Sequence, residues 1–174
     1  MDVLASFEGF QSTRLRVSDW GLELSEPSLR IGLKAELEAL LIPSVLEFLP
    51  PSLALPVGEN AIGRWIAERE ELAHVFTVRN REDSKFLGLL FLFQKDAASE
   101  INIGYMLAQS TWGQGVASEL VKHLLVTLSV SKPLELVGGV ATGNPASARV
   151  LLKNGFHLQH DQSTTDLEIF KRTL

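Results

Sequence analysis

Residues 101–128 contain the feature that most restricts the fold. Ile101, Ile103, Tyr105 and Leu107 recur at every second position, the period of a strand with one apolar face. Trp112-Gly113-Gln114-Gly115 follows. Val116, Leu120, Leu124 and Leu128 then recur every fourth residue, flanked by Ala117, Val121 and Leu125, as in a helix laid broadly on a sheet. A strand that enters a helix through two glycines brings the helix's unpaired N–H groups, and the positive end of its dipole, to an unobstructed turn. Such a turn suits a pyrophosphate, although many glycine turns before helices are purely structural. No Gly-Lys-Ser/Thr ending makes it a P-loop. A dinucleotide-binding doubly wound fold would place its glycine turn after the first strand, which is not the order here.

The rest of the chain supplies partners for this unit. Residues 13–17 alternate Leu15 and Val17 with Arg14 and Arg16 and read as a first strand. Residues 27–48 are helical in pattern, with Leu29, Leu33, Leu37 and Leu40 along one side and an interruption at Pro43. Pro50, Pro51 and Pro56 enforce a loop. Residues 60–72 form a second amphipathic helix with Ile62, Trp65 and Ile66 inward and Asn60 as its expected N-cap. Two strands follow at 74–79 and 85–94, joined by the polar turn 80–84; the second is apolar enough to be buried on both faces. After the glycine turn, Pro133 stops the long helix and 134–142 is a fifth strand. Asn144-Pro145 opens another helix as cap and first residue, and Asn154-Gly155 closes it. Residues 156–170 are a short antiparallel hairpin turning near 161–164. The order β-α-α-β-β-β-α-β-α-β-β describes a mixed α/β fold, one domain over 1–174, in which an antiparallel meander leads into a β-α-β crossover.

Composition narrows the chemistry. A hydrophobic fraction of 45% with 21% charged residues supports a packed core. With no cysteine, there is no disulfide, thiolate nucleophile or cysteine-ligated metal. The formal charge of -5 offers no basic footprint for nucleic acid; it suits a cationic partner such as an amine, and equally serves solubility. Asp2 and Glu8 stand where a signal peptide would be basic, and the apolar run 89–93 is far too short to span a bilayer. The expectation is a soluble, cytoplasmic protein with no membrane partner. His123 and His157 carry nothing that marks a metal pair.

The stretch from Ile103-Gly104-Tyr105 through Trp112-Gly113-Gln114-Gly115-Val116-Ala117-Ser118 resembles the acetyl-CoA-binding motif of the GNAT superfamily of N-acetyltransferases. Trp112 stands at that pattern's Gln/Arg position. Asn144-Pro145-Ala146-Ser147 through Lys153-Asn154-Gly155-Phe156 resembles the family's N-x-x-S…K-x-G-F segment, and Thr13–Val17 its first strand. The resemblance is closest to the ribosomal-protein N-terminal (alanine) acetyltransferases. It implies a mostly antiparallel sheet flanked by helices, with residues 101–107 and 134–142 splayed apart around the pantetheine arm. Backbone groups of Tyr105, Met106 and Leu107 would pair with the arm, an N–H near Met106 would hold the oxyanion, and Trp112, Gly113, Gln114, Gly115, Val116, Ala117 and Ser118 would hold the phosphates. Asn144 would bind the arm or only cap its helix. Ser147 would protonate the departing thiolate or only bond its own helix; Leu151 occupies the position where many relatives carry an acidic tyrosine. Glu100 is the implied base, with Asp166 or water as substitutes.

The reaction so implied is direct attack of a primary amine, of a protein N-terminus or a peptide, on acetyl-CoA in a ternary complex, without metal. Acetylation of a small amine (a polyamine or antibiotic-like molecule) and a non-catalytic acyl-CoA sensor are the alternatives. Pairing of two copies is compatible with the sequence.

Overall fold

A computed structural model describes residues 4–94, 100–129 and 134–174. One sheet runs through them: β1 (Gly9–Gln11), β2 (Leu15–Asp19), β3 (His74–Asn80), β4 (Phe86–Gln94), β5 (Glu100–Leu107), β6 (Glu135–Ala141), β7 (His157–Leu158) and β8 (Leu167–Thr173). Their spatial order is β1-β2-β3-β4-β5-β6-β8-β7. All neighbours pair antiparallel except β5 and β6, which are parallel and joined through a helix. The helices are α1 (Gly21–Ser25), α2 (Pro27–Leu40), α3 (Pro43–Leu46), α4 (Ala61–Leu72), α5 (Val116–Leu128) and α6 (Pro145–Lys153). The mixed α/β architecture is the one expected.

Strand alternation divides the interior into two cores. Leu90, Leu92, Ile101 and Ile103 pack with Leu120, Leu124 and Leu151 on one face. Leu89, Phe91 and Met106 pack with Leu33, Leu37, Trp65 and Ile66 on the other. β4 lies at the centre, and its Leu89, Leu90, Phe91 and Leu92 are fully buried, each stabilising the fold by roughly 1.5–3 kcal/mol. A bulge interrupts the β3–β4 register between Val78 and Arg79. Gly88 sits there at φ 151, with the Met106 carbonyl where a β-carbon would stand. Arg79 then reaches α1 and α2, donating to Glu23 and Glu36 at 2.6 Å each. Burial opposes its charge, but the bonds to Glu36 and Glu23 outweigh that and raise its pKa.

Some expectations change: α1 is a helix that the pattern did not mark, and Leu29 is exposed rather than turned inward. A three-residue strand, β1, precedes the first predicted one and pairs with it. The interruption at Pro43 is present as expected: α2 ends at Leu40 and Pro43 starts α3. Asn60 precedes α4 in a left-handed conformation and makes no capping bond; its side chain lies over Gly63 instead. The last strand runs beyond Phe170 to Thr173. Asp2 and Pro133 lie outside the described residues. Among the described residues no helix is long and apolar enough to cross a membrane.

Candidate functional site

β5 and β6 pair only from Glu100↔Glu135 to Ile103↔Gly138. Both strands continue, to Leu107 and Ala141, with their ladder broken. The splay expected from the sequence is therefore present, and a cleft of about 500 Å³ opens at it. Tyr105, Met106 and Leu107 line it, as do Trp112, Gly113, Gly115, Val116, Ala117 and Ser118 of the turn and Asn144 and Ser147 of α6.

The turn presents open backbone to the cleft. Gly113 and Gly115 have φ of 73° and 75°, and a β-carbon on Gly113 would meet nothing within 4 Å. α5 starts without a capping side chain, so no side chain takes up its first N–H groups. Two braces hold the turn. The Trp112 indole N–H donates to the Leu107 carbonyl at 2.9 Å. Arg14, from β2's approach, donates to the Gln114 carbonyl at 3.0 Å and pairs with Glu119 at 2.6 Å. Burial raises the Glu119 carboxyl, but bonds from Ser12 and from the Arg14 backbone and guanidinium outweigh this and lower its pKa.

At the edge of β5 the backbone has a definite sense. The Met106 carbonyl lies against Gly88, and the Ala108 N–H donates to Leu87 at 2.8 Å. Pleat alternation turns the backbone groups of Tyr105 and Leu107 to the open side, while those of Met106 face β4. Met106 itself contributes its side chain to the second core.

Asn144 does two things at once. Its Oδ1 accepts the Ser147 N–H at 3.1 Å, capping α6. Its Nδ2 donates to Ser147 Oγ at 3.1 Å. Leu151, one turn on, is buried against Gly138. The Tyr105 hydroxyl is buried without a hydrogen-bond partner. Burial pushes its pKa up, and the neighbouring Ser147 hydroxyl pulls the other way.

Three expected residues stand elsewhere. Glu100 begins β5 at the closed end of the splay, five residues from Tyr105 and so roughly 16 Å along the strand. There it shares Lys171 with Glu135, at 3.4 and 2.8 Å. This network serves the sheet end: the bond from Glu135, then that from Glu100, raises the Lys171 pKa. Gln114 turns back to donate to the Ser110 carbonyl at 2.7 Å and is not part of the cleft wall. Asp166 is exposed beyond β6, its carbonyl accepting from Thr142. Sequence reasoning missed Arg14 as a brace, and Arg149 and Lys153 as the charged side chains of the cleft. It also missed Val45, Phe48 and Leu49, which form one wall; proline-bounded segments lack the periodicity that assigns a face. Among the described residues no group of three or more His, Cys, Asp or Glu could hold a metal ion.

A family model described as an acetyltransferase (GNAT) domain matches residues 34–157. No curated protein matches the sequence. Among solved structures, RimL, a ribosomal L7/L12 alpha-N-protein acetyltransferase in complex with coenzyme A, aligns at 18% identity with TM-score 0.71, over 94% of this chain and 96% of that one. A spermidine N-acetyltransferase from Vibrio cholerae, in complex with CoA and spermine, aligns at 12% identity with TM-score 0.70, over 93% and 96%. A GNAT-family acetyltransferase from Bacillus anthracis aligns at 14% with TM-score 0.69, over 95% and 97%. At these identities the likeness is one of fold.

Proposed function

The chain belongs to the acetyltransferase (GNAT) family, and from that premise we propose that it transfers an acetyl group from acetyl-CoA to the N-terminal amine of a protein or peptide. The observation that carries the reading is the single cleft joining the splayed strands, the glycine turn and the α6 N-terminus. Its parts fit the co-substrate. The uncapped turn at Gly113–Ser118 takes the pyrophosphate. The open edge of β5 at Tyr105 and Leu107 takes the amide-bearing arm as an added strand. A Tyr105 or Leu107 N–H, rather than that of Met106, polarises the thioester carbonyl.

The acceptor amine attacks directly. Positioning supplies most of the acceleration, so no nucleophile of the chain is needed. Asn144 Nδ2 donates to Ser147 Oγ and so holds that hydroxyl at the cleft wall. Glu100 has no part in the chemistry, and water removes the proton from the incoming ammonium. A peptide acceptor is supported by the open side of the cleft. β7 has two residues only. Gly139 is exposed on β6, with Leu167 and Ile169 of the paired strand β8 beside its missing β-carbon, an apolar strip outside the cleft lining.

The test is acetyl-CoA turnover against a mixture of peptides of varied N-termini, spermidine and an aminoglycoside, read by mass spectrometry. Acetyl groups on peptide α-amines are expected. Acetylation confined to the small amines would refute the peptide assignment, and CoA binding without turnover on any amine would make the domain a sensor.

A further inference from the structure

Among the polar side chains of the cleft that the reaction above does not use, one is a buried hydroxyl with no hydrogen-bond partner. Tyr105 is the chain's only tyrosine. It lines the cleft on β5, and its hydroxyl is buried and unpartnered. The side chain that bears on its acidity is Ser147, and burial, the larger effect, keeps the phenol protonated at neutral pH. Ser147 Oγ already accepts from Asn144 Nδ2, which leaves the serine proton free to turn toward Tyr105. Acidity separates the two hydroxyls. A thiol has an ordinary pKa of about 8.5 and a phenol about 10, whereas an aliphatic hydroxyl is a far weaker acid than either. Ser147 can hydrogen-bond a thiolate; a phenol is matched to give it a proton.

We propose that Tyr105 is a further catalytic residue, the acid that protonates the CoA sulfur as it leaves, with Ser147 as the positioning residue that directs the phenol. The inference rests on the acetyl-transfer reading above. The amine electron pair forms the C–N bond, the C–S bond breaks, and its electron pair remains on sulfur. The Tyr105 proton joins that sulfur to give the thiol, and the phenolate recovers a proton from the acylated nitrogen through Ser147 or water. One proton has moved from nitrogen to sulfur, and no other reactant is consumed. Arg149 and Lys153 are the charged side chains of the same cleft and are unchanged in the variants below.

CoA itself is the probe, so no acceptor need be known. The thiol of CoA bound to the full chain is titrated by thiolate ultraviolet absorbance, with desulfo-CoA complexes as blanks for tyrosine ionisation. A phenol that donates to sulfur favours the thiolate. Tyr105→Phe, which keeps the ring, is therefore expected to lower the dissociation constant of the bound thiol at least tenfold. It should also reduce kcat on whichever amine is acetylated by about 10²-fold, with the KM for acetyl-CoA little changed. Ser147→Ala should give a smaller shift in the same direction, and none when added to Tyr105→Phe. Equal thiol titration in wild type and Tyr105→Phe would overturn the proposal, as would a full shift in Ser147→Ala alone. Failure of wild type to bind CoA would instead refute the acetyl-CoA reading on which it rests.

Discussion

Asn144 separates capping from binding in a single side chain. Its Oδ1 caps α6, and its Nδ2 is the only part that donates. Asn144→Ala removes both. Loss of such a cap costs about 1 kcal/mol, which for a chain of this length lowers the melting temperature by roughly 2–4 °C. Asn144→Asp keeps a capping oxygen and adds a charge favoured at a helix N-terminus, so its melting temperature should equal or exceed wild type. An ionised Asp cannot donate, however, and it would accept the Ser147 hydroxyl proton that now points elsewhere. The one hydrogen bond that the remaining Nδ2–H can give the arm is then lost, at about 0.5–1.5 kcal/mol, or roughly 2- to 10-fold in affinity. Thermal denaturation by circular dichroism and CoA titration by calorimetry read the two effects separately. The expected pattern is Ala weak in both and Asp weak in binding only. An Asp variant that binds CoA as tightly as wild type would refute the ligand role and leave only the cap.

Gly115→Glu should abolish acetyl-CoA binding in calorimetry while circular dichroism shows a folded chain, since it puts a carboxylate, in a strained left-handed conformation, where the pyrophosphate would lie. Glu119 has a depressed pKa, so its contribution is complete above the ordinary value of 4.5 and is lost as pH falls through the lower folded value; acid titration of stability should be less steep below about pH 4.5 in Glu119→Gln. Glu100→Gln should leave kcat within about twofold, because Lys171 retains Glu135 at 2.8 Å and the cleft is not touched; a hundredfold loss in a steady-state assay would restore Glu100 as the base.

Periodicity revealed most of the scaffold. The fourfold repeat from Val116 to Leu128 and the alternation from Ile101 to Leu107 each assigned a face that the two cores confirm. The Asn144-Pro145 pair is a local signal whose cap is present as expected, because a cap depends only on residues within one turn. Asn60 shows the limit of such signals: it enters α4 in a left-handed conformation and makes no capping bond, which residue type alone does not foretell. β1 has three residues, too few for an alternation to register. Glu100 was drawn from family position alone, and its spacing from Tyr105 puts it at the other end of the strand from the cleft. The Tyr105 hydroxyl was illegible for another reason. Alternation tells which face a ring takes, but not whether its oxygen will meet a partner there.

The Arg14 brace ties together residues made at very different times. It bonds Gln114 and Glu119, 100 and 105 positions later in the chain. At ordinary rates of synthesis Arg14 leaves the ribosome on the order of 5–20 s before those partners exist. Helices α2 and α4 and the hairpin β3–β4 can gather in that interval through contacts close in sequence, whereas the glycine turn must wait for both ends of this long loop. A nascent chain therefore gains its hold on CoA late, and CoA, by binding only the finished arrangement, would draw late folding intermediates toward it.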